Sequence, residues 1–158
     1  MKSRVECVKA LFAALQQNDM ELAANLLDDR FILVGLTPGA LDKAQFLGLH
    51  SELLDAMPDF SYHMKGVHWR EDLECVEATI QITGTQSEEL SLPQFGLPLL
   101  PATGVAAELP LTPITVQVEN DHVTRLEVAV IAGGGLSGLL QQVAPELPLL
   151  PREDRLAE

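Results

Sequence analysis

Apolar residues recur at helical spacing through the first third of the chain and at a spacing of two beyond residue 59. Ser3 with Glu6, Asn18 with Glu21, and Asp42 with Gln45 each have capping-box separation, which marks three helix starts. Val5, Val8, Leu11, Phe12 and Leu15 form one stripe after the first start, and Leu22, Ala23, Leu26 and Leu27 form a shorter one after the second. Phe31 to Val34 reads as a brief strand closed by the turn Thr37-Pro38-Gly39. The third helix runs from Asp42 through Phe46, Leu49, Leu53 and Met57, and Pro58 stops it.

From Asp59 onward Phe60, Tyr62 and Met64 alternate with Ser61, His63 and Lys65, and the large residues then change parity to Val67 and Trp69. Gly66 at that change predicts a β-bulge, with His63 and His68 on the face opposite Tyr62 and Trp69. Val76, Ala78, Ile80 and Ile82 alternate with polar residues, as a half-buried strand does. Two further strands carry Ile114, Val116 and Val118, then Leu126, Val128 and Val130. A two-residue loop would pair Val116 with Arg125, whereas a three-residue loop, Asn120 to His122, pairs it with Leu126 and aligns the apolar sets. Because the buried face decides register, the three-residue loop is expected. Gly133-Gly134-Gly135 then leads into a short helix, Leu136 to Val143.

Residues 84 to 104 contain Pro93, Pro98 and Pro101, which oppose regular structure, yet also Leu90, Leu92, Phe95, Leu97, Leu99 and Leu100. An irregular apolar segment of this length covers something: a ligand pocket, the core or a partner subunit.

Composition narrows the functional classes. The chain has 158 residues, 47% hydrophobic, so its body is not intrinsically disordered. A formal charge of −13 argues against nucleic acid and anionic membrane surfaces, both of which need clustered Lys and Arg. Cys7 and Cys75 make no disulfide framework, Glu6 and Lys9 interrupt any apolar leader core, and no run reaches the roughly 20 apolar residues of a membrane span. A cytoplasmic protein with reduced thiols is the simplest expectation.

The element order resembles the SnoaL-like polyketide cyclases of the nuclear-transport-factor-2-like superfamily. Met57-Pro58-Asp59-Phe60, Thr83-Gly84-Thr85-Gln86, Pro101-Ala102-Thr103-Gly104 and Gly138-Leu139-Leu140-Gln141-Gln142-Val143 carry the resemblance, across roughly residues 1 to 144. It implies an α+β fold with a cone-shaped, curved antiparallel or mixed sheet wrapped around the N-terminal helices, a deep apolar pocket and a homodimer through the sheet. Residues 145 to 158 are then a Pro-rich, charged C-terminal tail. Cyclases of the family place a histidine where this chain has Gln86, and an acidic residue shortly before the Gly-Leu-Leu motif, where Val130 to Gln142 contains no carboxylate. Neither an amide nor a glycine shuttles protons near neutrality.

The leading expectation is therefore a pocket protein that binds a small, mostly apolar molecule, with Tyr62, Trp69, Gln86 and Phe95 as candidate ligand contacts and without cyclase chemistry. One alternative is an acid/base enzyme using Glu127, His63 or His68. Another is a homodimeric interaction module whose cavity is filled by its own side chains. Glu127 faces away from Leu126, Val128 and Val130, so the solvated side of the sheet is its expected place. His50, His63, His68 and His122 lack metal-ligand spacing, and no cofactor is implied. Gly133-x-Gly135-x-x-Gly138 matches the dinucleotide fingerprint in letters, but too little chain follows for the second half of such a fold, and a turn into the helix is expected.

Overall fold

The computed structural model describes residues 3–144, so the predicted tail lies outside the described residues. Helix α1, Arg4–Gln16, opens with the expected reciprocal box between Ser3 and Glu6 and buries Val8, Leu11, Phe12 and Leu15. Helix α2, Met20–Leu26, is capped by Asp19 and not by Asn18. The reason is local: Asn18 adopts a left-handed conformation, φ 59°, at the end of α1, so the next carboxylate takes over the cap. Leu27, expected in α2, instead begins strand β1, Leu27–Val34. After the short strand β2, Leu41–Asp42, helix α3 spans Lys43–Ala56 and keeps the predicted Asp42–Gln45 box.

Strands β3, Lys65–Arg70, and β4, Cys75–Ile80, pair antiparallel, and their register slips by one residue between Lys65 and His68. Gly66, at φ +67°, supplies the predicted bulge. The expected long strand from Phe60 is cut short, however, because His63 sits at φ 45° and breaks the extended run. Ser61 keeps one isolated bridge to Thr83. Strands β5, Thr83–Thr85, and β6, Ala106–Glu108, form a separate hairpin-like pair. Strands β7, Thr112–Glu119, and β8, His122–Val128, complete the main sheet, and helix α4 covers Gly135–Val143.

The main sheet has the order β2-β1-β8-β7-β4-β3, antiparallel except for the β1–β8 pair. Val116 pairs with Leu126 as expected, but by a different device. The turn has only two residues, Asn120 and Asp121, both at positive φ, so Glu119 faces His122. Thr124 is then the extra residue between the Val118–Val123 and Gln117–Arg125 pairs, and this bulge restores the alignment. It also puts both Val123 and Leu126 in the core. Val130, expected with the apolar set, lies past the end of β8 and is 85% exposed.

One face of the bent sheet buries Phe31, Leu33, Val76, Ala78, Ile80, Ile114, Val116 and Val128 against α1 and α3. Gly35, at φ +94°, lets the end of β1 pass over β8, where a Cβ would stand 1.8 Å from the Val128 carbonyl oxygen. The apolar 84–104 segment lies partly on the core itself: Leu90 and Leu100 exchange backbone hydrogen bonds and are buried with Leu92, while Leu99 is exposed. Cys7 and Cys75 are both buried and not bonded to each other, and the Cys7 thiol donates to the Asp121 carbonyl at 3.3 Å. Among the described residues, no helix is long and apolar enough to cross a membrane.

Since Ile80 is buried at the end of β4, in the core, Ile80→Ala should lower the free energy of urea unfolding by about 2–5 kcal/mol, and a near-neutral result would mean that β4 does not carry the core.

Candidate functional site

The residues that follow α3 bring the interior site together. Phe60 and Tyr62 both turn inward, and two side chains from α1 and α3 hold them there. The Gln16 amide reads the backbone like a neighbouring strand, donating to the Phe60 carbonyl at 2.6 Å and accepting from the Tyr62 N–H at 3.1 Å. His50 reaches Tyr62 from α3, with Nδ1 2.8 Å from the phenol oxygen and Nε2 2.8 Å from the Leu15 carbonyl. His50 is 1% exposed and Tyr62 6%, and their rings lie nearly parallel at 5.6 Å. Phe12 and Phe60 meet the Tyr62 ring edge-on at 5.2 and 5.0 Å. Burial pushes the His50 imidazole below its ordinary value and the Tyr62 phenol well above its own.

Beside Tyr62 a narrow slot runs between α3 and α4, walled by Leu36, Leu53, Phe60, Ile82, Leu109 and Leu139. Its void measures about 10 Å³, the lower bound for one water. Tyr62 apart, the side chains around it are apolar. Leu36 and Gly135 are shared with a larger surface hollow of about 660 Å³ formed by the chain around Gly35–Pro38 and Val130–Gly135.

A neck of hydrogen bonds and close contacts is built from all four of the short motifs. The Asp59 carboxylate accepts from the Thr85 N–H at 2.7 Å and from its hydroxyl at 2.9 Å, which holds the carboxyl below its usual range. Gly84 packs closely on Met57, where a Cβ would stand 3.0 Å from Sδ and 3.2 Å from the Met57 Cβ. Gln86 is fully buried: its Nε2 donates to the Pro101 and Glu88 carbonyls at 3.0 and 3.3 Å, and its Oε1 accepts from the Thr103 hydroxyl at 2.8 Å. The Gln142 amide clasps Glu108, donating to its carbonyl and accepting from its N–H at 2.9 Å each. Gly138 presses on the Gly133 carbonyl, where a Cβ would come within 2.1 Å. The glycine triplet thus serves a tight return into α4, as the turn reading expected.

The candidate side chains from the sequence are scattered. Tyr62 alone lines the slot. Gln86 faces the neck, with both amide donors and its oxygen engaged by the chain. Trp69 lies under the Arg4 guanidinium, 4.7 Å from the ring centre, in a groove beside Val118 and Asn120. Phe95 lies with Gln94 in a shallow hollow against Thr37–Leu41. His63 Nε2 meets the Thr83 hydroxyl at 2.8 Å, whereas His68 meets the Gly66 carbonyl at 2.7 Å and Glu77 at 3.4 Å, so the two have different partners. Glu127 is exposed on the outer face, opposite Thr115 and Val34. Among the described residues, no three His, Cys, Asp or Glu side chains gather to hold a metal ion.

His50 is the site residue that the sequence reading passed over except as a metal ligand. Its signal was a histidine at position i+4 from Phe46 on the buried stripe of α3, which demands a buried partner for each ring nitrogen.

No protein-family model matches the chain, and no curated protein matches it. Solved structures do. A candidate polyketide cyclase from Pseudomonas putida KT2440 is 18% identical, covering 91% of this chain and 100% of its own, with a TM-score of 0.65. A candidate SnoaL-like polyketide cyclase from Jannaschia sp. CCS1 is 15% identical, covering 92% and 93%, with a TM-score of 0.67. AclR, a candidate hydroxylase from Streptomyces galilaeus, is 18% identical, covering 98% and 93%, with a TM-score of 0.67. The chain has the SnoaL-like fold, a fold that its neighbours use under more than one functional name.

Two expectations follow. Glu127→Gln should change unfolding free energy by less than about 0.5 kcal/mol, because the carboxylate faces solvent; a larger loss in urea titration would place it in a contact. The buried His50 has its folded pKa below the ordinary 6.5, so the unfolded chain binds the extra proton first. Its stabilising contribution is complete above about pH 6.5 and is lost as pH falls from there toward the folded pKa. Urea midpoints between about pH 7 and 5 should therefore drop with acid, and His50→Gln should flatten that slope.

Proposed function

We propose that the chain is a small-molecule-binding protein on the SnoaL-like fold, which takes a compact, mostly apolar molecule into the slot beside Tyr62 and lacks the cyclase chemistry of the family. The observation that carries this reading is the wall chemistry. Every slot residue other than Tyr62 is apolar or glycine, and no carboxylate is among them. The position where cyclases place a histidine holds Gln86, whose amide is engaged in the neck. Binding widens the slot at α4, whose polar ties among the described residues include the Leu136 N–H to the Leu36 carbonyl and the Gln142 clasp on Glu108. Its N-terminus has no side-chain cap.

The void of about 10 Å³ favours a second reading, an interaction module with a filled interior. In either case a homodimer through the outer sheet face is proposed from the resemblance, and light scattering of the purified chain tests it.

Calorimetric titration with aromatic polyketides, steroids and terpenoids separates the readings. A saturable ligand that slows amide exchange in α4 supports the binding protein. Absence of binding supports the filled module, and ring closure of a polyketide substrate would restore an enzyme.

A further inference from the structure

The pattern Leu-Pro-Leu-x-Pro occurs three times, at residues 97–101, 109–113 and 147–151, and the first and third copies are identical. The two copies among the described residues behave alike. In each, a leucine directly before a proline bonds through its backbone to another stretch of chain. Leu100 exchanges both bonds with Leu90 at 2.9 Å, and the Leu109 N–H donates to the Ile82 carbonyl at 2.9 Å. Both leucines are buried, whereas Pro98, Pro101, Pro110 and Pro113 are exposed. Backbone groups alternate direction along an extended chain, so the proline after a bonding leucine turns its missing N–H away from the partner.

β6 has an edge that suits the third copy. The Glu108 N–H and carbonyl both bond the Gln142 side-chain amide, so they point away from β5. Ala106, two residues earlier in β6, aims its N–H and carbonyl the same way. It is exposed, and neither group has a hydrogen-bond partner among the described residues. Gln142 thus fills the place of a strand residue opposite Glu108, and the next place, opposite Ala106, is open. Gln142 also lies in the last turn of α4, where the chain leaves the helix. The three residues after Ala144 reach up to about 10 Å, against about 7 Å between Glu108 and Ala106 along the strand.

We infer that residues 147–151 dock on β6 of the same chain as a third, antiparallel strand of the β5–β6 sheet, with Leu147 opposite Ala106. In that register Pro145 faces Glu108, whose groups Gln142 already holds, and Pro148 turns its nitrogen to solvent. Neither proline withholds a needed donor. Pro148 also blunts the new edge against further strands. The short tether favours this occupant over a second copy, because it holds the segment at an effective concentration on the order of millimolar. The docking fastens the end of α4 to β6 and does not depend on the slot being a ligand site.

Amide exchange and nuclear Overhauser contacts of the full chain test it. The Ala106 N–H should exchange at least about tenfold more slowly in the wild type than in Leu147→Pro, which removes the bonding N–H. An Hα–Hα contact should join Ala107 to Glu146. Glu146→Pro, which loses only an N–H aimed at solvent, should keep the protection. Equal Ala106 exchange in the wild type and Leu147→Pro, or loss of protection in Glu146→Pro, overturns the docking. So does protection that rises with protein concentration while the contact crosses between labelled and unlabelled chains, which assigns the edge to a second copy.

Discussion

Burying a histidine and a tyrosine side by side obliges each to satisfy the other. His50 and Tyr62 are both nearly inaccessible, and an unpartnered polar group in that setting would cost about 1–3 kcal/mol. The pair resolves this only if Leu15, at the end of α1, lends a carbonyl and if Tyr62 approaches α3 from the loop after Pro58. Three separate stretches of chain are thereby tied at one point. With Gln16 holding the backbone of Phe60 and Tyr62 from the other side, that point fixes where the helical layer meets the sheet.

The slot is a consequence of this knot. Tyr62 is pinned by its hydroxyl, so its ring forms one wall, while α4 packs its buried leucines on the opposite side and is tied to the chain at Leu36 and Glu108. Hydrogen bonds of the neck and the knot engage Gln86 and His50 within the chain.

The short motifs that carried the resemblance serve as ties between elements. Asp59 clasps Thr85, Gln86 clasps Thr103 and Pro101, and Gln142 clasps Glu108. Each joins two elements distant in sequence. Such residues preserve the fold whatever the site does, so finding them in the sequence identifies the architecture and is silent about turnover.

Local order was legible in the residues themselves. The caps at Ser3 and Asp42, the stop at Pro58, the bulge at Gly66 and the Val116–Leu126 register follow from periodicity and backbone preference acting within a few residues. Errors arose where two local signals competed, as at Asn18 and His63, whose left-handed conformations displaced a cap and ended a strand. The meeting of His50 with Tyr62 was decided elsewhere. Its partners come from α1, α3 and the segment after Pro58, and hydrogen bonding between distant groups leaves no period in a sequence. Whether a polar side chain on an apolar stripe is an isolated group or one end of a directed chain is settled only when the helices pack.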